Sequence, residues 1–156
     1  MPISIGAPAP EFSLYDTFKN KISLSSFRGK KVVLLFFPFA FSGTCTRELC
    51  EMRDNYGFYE QLNAEVVGIS VDSLYTNAKF KEMNGFNFTL LSDFNKEVSK
   101  AYDSLIENFA FDYHGVSKRA SFLIDADGKI AYAEILPSPG DYPDLTKLKQ
   151  AITHLN

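Results

Sequence analysis

Two runs of the chain leave little freedom in how it can fold. KKVVLLFF (Lys30–Phe37) and AEVVGISVD (Ala64–Asp72) are rich in β-branched and apolar residues and lack the apolar/polar alternation of a half-exposed strand. A strand that is apolar on both sides must be covered on both sides, so the pair predicts a sheet sandwiched between helices. FTLLSD (Phe88–Asp93) predicts a shorter strand. RASFLIDADGKIAYAEIL (Arg119–Leu136) predicts a hairpin turning at Asp127-Gly128. EFSLYD (Glu11–Asp16) and KISLSSF (Lys21–Phe27) predict a small additional hairpin near the N-terminus.

Helical patterns lie between these strands. From Thr44 the apolar positions Cys45, Leu49, Met52, Tyr56 and Tyr59 follow one another at four, three, four and three residues, a single helical stripe. LYTNAKFKEMNG (Leu74–Gly85) and NKEVSKAYDSL (Asn95–Leu105) read as helices. DYPDLTKLKQAITHL (Asp141–Leu155) reads as a terminal helix with Leu145, Leu148, Ile152 and Leu155 on one face. Strands alternating with helices and ending in a hairpin predict an α/β domain with a mixed sheet. The 156 residues, with no internal repeat or linker, fit one domain spanning 1–156.

The net charge of −3 and the absence of a basic stripe argue against a nucleic-acid partner. No basic start followed by an apolar stretch marks the N-terminus as a targeting segment. The longest apolar run, Val32–Phe41, is about half of what would span a bilayer. No membrane partner is therefore expected, and a cytoplasmic location is.

The chain holds two cysteines, Cys45 and Cys50. A disulfide closing so short a loop would restrict the unfolded chain only weakly, which makes a structural staple a poor explanation. Ser42, Gly43 and Thr44 are all good N-cap types, so Cys45 is expected in the first turn of its helix. Unpartnered backbone N–H groups and the helix dipole favour a thiolate there. The position also follows the carboxyl end of a buried strand, where open α/β sheets hold their ligands. Against this stands a plainer reading, in which Cys45 lies on the apolar stripe and simply packs. Cys50, five residues on, is rotated by roughly 140° and lies about 8–9 Å away in an intact helix. A disulfide needs less than about 7 Å between Cα atoms. The two thiols can bridge only if the helix start unwinds; otherwise Cys50 is a small filler residue. With only His114 and His154 as further candidate ligands, no metal site is expected, nor any cofactor.

PFAFSGTC (Pro38–Cys45) has the form Pro-x-x-x-Ser-x-x-Cys, and follows the strand VVLLFF. It resembles the active-site signature of the peroxiredoxins. The likeness extends through IGAPAPEFSLYD, VVGISVDS, LLSD and RASFLIDADGKI, which with the signature make five elements in the family's order. The resemblance implies a thioredoxin-like fold: a central mixed β-sheet flanked by helices, with the extra N-terminal hairpin. It implies a thiol-dependent peroxidase acting on hydrogen peroxide and organic hydroperoxides. Cys45 would be the peroxidatic cysteine, oxidised to a sulfenic acid. Ser42 would hydrogen-bond the peroxide and the sulfur, with Ser where most relatives carry Thr. Pro38 would shield the site, Arg119 would donate to sulfur and peroxide, and Glu48 would orient Arg119. Taken singly, each has a plainer role: a strand stop, a cap, a surface cation, a helix-start charge.

The offset of Cys50 resembles the bacterioferritin-comigratory or Q-type branch, in which a second cysteine of the same helix resolves the sulfenic acid as an intramolecular disulfide. FPFAFSGTCTRELCEMRD also resembles the AhpE-type branch, whose members use one cysteine and an external thiol. Resolution by Cys50 is the reading adopted, with thioredoxin or a glutaredoxin-like protein as reductant. Two other classes compete. A thioredoxin-like disulfide oxidoreductase would need a Cys-x-x-Cys pair. A non-enzymatic binding module on the same scaffold would be indifferent to loss of Cys45. Phe39 and Phe41 flank the site, where they would form an apolar rim or a homodimer contact; a homodimer is expected.

Overall fold

The computed structural model describes residues 3–155. In chain order the elements are β1 (Ser13–Asp16), β2 (Lys21–Ser23), β3 (Lys31–Phe36), α1 (Gly43–Asp54), α2 (Tyr56–Gln61), β4 (Ala64–Ser70), α3 (Leu74–Asn84), β5 (Thr89–Ser92), α4 (Glu97–Ala101), β6 (Leu105–Asn108), β7 (His114–Ser117), β8 (Ala120–Ile124), β9 (Ile130–Ile135) and α5 (Leu145–His154). Seven strands form one sheet in the order β2-β1-β5-β4-β3-β8-β9, and β6 and β7 form a separate pair. β3, β4 and β5 run parallel, while β8, β9 and the β1–β2 hairpin are antiparallel. The sheet is mixed, as the strand patterns predict.

The non-alternating run of β3 is explained by what covers it. Val33, Leu35 and Phe37 lie in one core cluster with Cys45, Leu49 and Met52 of α1, Tyr59 of α2, Phe80 of α3 and Leu145, Leu148 and Ile152 of α5. Val32, Leu34 and Phe36 lie in a second cluster with Phe12, Leu24, Val98 and Tyr102. Side chains alternate between faces in a strand, and here both faces are apolar contacts. Gly68 in β4 is required by this packing: a Cβ there would come within 2.6 Å of Leu90 and 3.3 Å of Phe37.

The helix ends follow from their capping residues. Ser73 Oγ accepts the Thr76 N–H at 3.2 Å at the start of α3. Gly85, with φ 62°, ends that helix in the left-handed region. Asp144 accepts the Lys147 N–H at 3.0 Å to begin α5. The β8–β9 turn is held by Asp125 Oδ1, which accepts the N–H groups of Asp127 and Lys129, and Gly128 supplies φ 86°. The stripe from Cys45 to Tyr59 is not one helix. Asn55 leaves helical geometry (φ −107°, ψ 11°) while its side-chain amide donates to the Glu51 carbonyl at 2.8 Å, so the chain bends into α2. The β6–β7 hairpin has no counterpart in the sequence reading. No helix among the described residues is long and apolar enough to cross a membrane.

The parallel strands end on one side of the sheet. Residues 37–42, which leave β3 there, lead directly into α1.

Candidate active site

α1 begins at Gly43 after an extended Ser42, which places Cys45 in its first turn. Cys45 is fully buried, and both cysteines are free thiols. Arg119, just before β8, is 2% exposed and no surface cation. Its Nη1 donates to Cys45 Sγ at 3.2 Å and to Glu48 Oε1 at 2.9 Å. Its Nε and Nη2 both donate to the Pro139 carbonyl, at 3.3 and 2.9 Å. The guanidinium is thus fixed from two sides, which a planar five-donor fork permits and an ammonium does not.

Glu48 lies one turn after Cys45 and has no exposed surface. Burial raises its pKa from 4.5 to about 7, against the lowering effect of Arg119; Glu134 and Glu51 push it further up. Among the described residues its second oxygen, Oε2, has no hydrogen-bond partner. Burial alone would lower the Arg119 pKa, but the Cys45 and Glu48 groups beside it leave it raised.

The site opens through a cleft of about 360 Å³ lined by Pro38, Phe39, Ser42, Phe109, Phe111 and Tyr113 along with Arg119 and the Pro139–Gly140 backbone. Its wall is aromatic: Phe39 meets the rings of Phe109 and Tyr113 edge-on, each at 5.6 Å. Pro38 is buried in the wall. Ser42 borders the cleft, but its hydroxyl donates to the Phe39 carbonyl at 2.9 Å and so is directed at the loop backbone. Phe41 is turned away from the cleft lining, onto Phe80 at 5.0 Å.

Cys50 is part-buried, with Sγ 3.9 Å from Asn84 Oδ1 of α3. Helix α1 is continuous from Cys45 to Cys50, so the two thiols remain on different sides of an intact helix. The structure therefore brings together Cys45, Glu48 and Arg119, with Pro38 and Ser42 at the entrance, and holds Cys50 apart. Residue type gave no sign of the Pro139 carbonyl, Phe109 or Tyr113. An acceptor that is backbone leaves no mark on the sequence, and the two aromatics arrive with the unforeseen β6–β7 hairpin. Among the described residues no three His, Cys, Asp or Glu side chains converge to hold a metal ion.

Comparison with known proteins identifies the family. Residues 5–133 match the model of the AhpC/TSA family. The chain is 36% identical over 132 residues to peroxiredoxin Bcp of Bacillus subtilis, covering 83% of each chain. It is 37% identical over 145 residues to alkyl hydroperoxide reductase E of Mycobacterium bovis, covering 91% of each. Among solved structures, peroxidoxin BcpB from Mycobacterium tuberculosis superposes with a TM-score of 0.87 at 28% identity, over 99% of both chains. The sheet and its flanking helices form a thioredoxin-like α/β fold, and the chain belongs to the AhpC/TSA family as a peroxiredoxin.

Proposed function

We propose that Cys45 is the peroxidatic cysteine of this thiol-dependent peroxidase, and that Arg119, Glu48, Ser42 and Pro38 form the site around it. The observation that carries this reading is the 3.2 Å contact from Arg119 Nη1 to Cys45 Sγ beneath an aromatic cleft. The Cys45 thiolate attacks one peroxide oxygen. The O–O bond breaks, the electron pair leaves with the distal oxygen, and that oxygen takes a proton to become water or an alcohol. Sulfur is oxidised by two electrons to a sulfenic acid. Arg119 faces the charge that develops on the departing oxygen, and the N–H groups of the first turn of α1 add to it. The aromatic walls suit organic hydroperoxides as well as hydrogen peroxide.

Cys50 then attacks the Cys45 sulfenic sulfur, displacing hydroxide, which leaves as water, and forming a disulfide. This requires the first turns of α1 to unwind, because an intact helix keeps the two Cα atoms about 8–9 Å apart. A dithiol protein of the thioredoxin or glutaredoxin kind reduces the disulfide. The chain acts as a single domain and a homodimer in this reading, in the cytoplasm.

The test is an intact-mass measurement within seconds of adding one equivalent of hydrogen peroxide to the reduced protein and to Cys50→Ser. Loss of two hydrogens in the wild type and gain of one oxygen in the variant is the expected result. Gain of oxygen in both would assign resolution to an external thiol. No change in either would end the peroxidase reading.

A further inference from the structure

The segment VVGISVDS (Val66–Ser73) carries a carboxylate, Asp72, that the catalytic reading leaves without a task. Asp72 lies just beyond β4, on the same side of the sheet as the start of α1. Its Oδ2 accepts the backbone N–H of Ala40 at 2.7 Å and the hydroxyl of Ser70 at 2.8 Å. Its own backbone is fastened as well: the Asp72 N–H donates to Ser70 Oγ at 3.3 Å, and its carbonyl accepts from Ser92 Oγ at 2.6 Å. The carboxylate is therefore mounted on the ends of β4 and β5, two strands of the rigid sheet. What it holds is the middle of the loop that carries Pro38, Phe39 and Ser42.

The next residue shows why the loop needs holding. Phe41 has φ 70°, in the left-handed region that bulky side chains avoid, and its ring is half exposed. It is confined between the Ala40 anchor on one side and the start of α1 at Ser42 on the other, with its ring resting on Phe80. A strained residue placed next to a charge-assisted hydrogen bond is a sprung joint: it stays bent while the bond holds and relaxes when the bond breaks. Two features of the site depend on the bent form. The Phe39 carbonyl accepts the Ser42 hydroxyl, and the Ser42 carbonyl accepts the N–H and the hydroxyl of Thr46, which closes the first turn around Cys45.

We propose that Asp72 is a positioning residue that latches the loop ahead of α1 through the Ala40 N–H, and that release of this bond is the first movement in opening the helix start. This rests on the peroxidase reading for its consequence, since the latched form is the one that reacts with peroxide and the released form the one in which Cys45 can travel to Cys50. Asn at this position keeps an oxygen that accepts from Ala40 but loses the charge, and Ala removes the acceptor.

The experiment compares wild type, Asp72→Asn, Asp72→Ala and Asp93→Asn. Asp93 is a buried carboxylate close to the same strand ends, but its oxygens accept two backbone N–H groups at the start of α4, at 2.7 and 3.2 Å, and none in residues 37–42, so it reports ordinary loss of stability without loss of the latch bond. Amide exchange of the peptide covering residues 39–46 is followed in the reduced proteins, beside the rate of Cys45 oxidation by hydrogen peroxide. Asp72→Ala is expected to speed exchange of that peptide about tenfold or more, while the sheet peptides stay protected, and to slow oxidation about tenfold. Asp72→Asn is expected between it and the wild type. Asp93→Asn is expected to change neither the exchange of residues 39–46 nor the oxidation rate. Exchange of residues 39–46 that is unchanged in both Asp72 variants, or that rises only together with the rest of the chain, overturns the latch. If Asp72→Ala does not fold, Asp72→Asn decides by the same two outcomes. A wild type inert to peroxide would end the peroxidase reading, while the exchange data would still decide whether the latch exists.

Discussion

Arg119 and Glu48 form an ion pair of 2.9 Å with 2% and 0% of their side chains exposed. Such a pair is a poor source of stability, because taking both charges out of water offsets most of their attraction. Its use is geometric: one arm of the guanidinium is held between a carboxylate and a sulfur, and the other is held by the Pro139 carbonyl. In the proposed mechanism this arrangement puts a desolvated cation where peroxide reduction develops negative charge.

Glu48 should make stability fall with pH across a defined window. Its folded pKa of about 7 lies above its ordinary 4.5, so the folded state holds the proton more tightly. The stabilisation is complete below pH 4.5 and is lost as pH rises through 7, an effect on the order of 2–3 kcal/mol. Urea unfolding at pH 5 and pH 8 should show a larger drop for the wild type than for Glu48→Gln. Equal drops in the two proteins would mean that Glu48 titrates normally.

Arg119→Lys tests the fork rather than the charge. A lysine keeps the cation but cannot reach Cys45, Glu48 and the Pro139 carbonyl together. The second-order rate of peroxide reduction, measured by stopped flow, should fall by about 10²–10³-fold, as expected for loss of a preorganised donor. A rate within a few-fold of wild type would show that charge alone suffices.

At Ser42 the hydroxyl, and not the size of the side chain, is expected to matter. Ser42→Ala should slow oxidation of Cys45 by about tenfold or more, because it removes a polar group at the cleft mouth. Ser42→Thr keeps the hydroxyl and restricts its rotamer, and should match or exceed the wild type. A Ser42→Ala variant that reacts as fast as the wild type would show that the hydroxyl takes no part in the reaction.

Phe80 and Phe122 are both fully buried, on opposite faces of the sheet, but only Phe80 supports the loop through Phe41. Changing either to Leu should cost about 1–2 kcal/mol in denaturant unfolding. Phe80→Leu alone should also slow reaction with peroxide. If Phe122→Leu slows it equally, the effect is one of global loosening.

The layered sheet was legible because Val32–Phe37 and Ala64–Ile69 have apolar neighbours on both faces, and composition alone records that. The β8–β9 hairpin was legible because Asp127-Gly128 is a turn pair by chemistry. The β6–β7 hairpin was not: its strands have four residues each with no clean alternation of buried and exposed positions, and its turn puts Phe111 and Asp112 at positive φ without a glycine to announce it. At the site, Cys45 could be placed in a first turn from its neighbours alone. Arg119 could be attached to it only through a family resemblance, since 74 residues separate them and nothing local connects the two. Ser42 shows the limit of such a resemblance, because its hydroxyl here faces the Phe39 carbonyl.

The pairing of β8 with β3 sets Ala120 opposite Phe36 and Ile124 opposite Val32. Ala120, Phe122 and Ile124 belong to the core cluster away from α1, whereas Leu123 belongs to the α1 side. Arg119 reaches Cys45 because it shares the parity of Leu123 along the chain. Deleting a single residue between 120 and 124 would reverse that parity and send the guanidinium into the Phe12–Tyr102 side of the molecule. Lengthening the 125–128 turn would leave that parity untouched, but would disturb the bonds that tie the Ala126, Asp127 and Gly128 carbonyls to Gly29, Arg28 and Ala9. Tolerance of this chain to insertions and deletions is therefore set by different rules along one hairpin: in β8 by odd and even numbers, and a few residues further on by the bonds that fasten the turn to residues 9, 28 and 29.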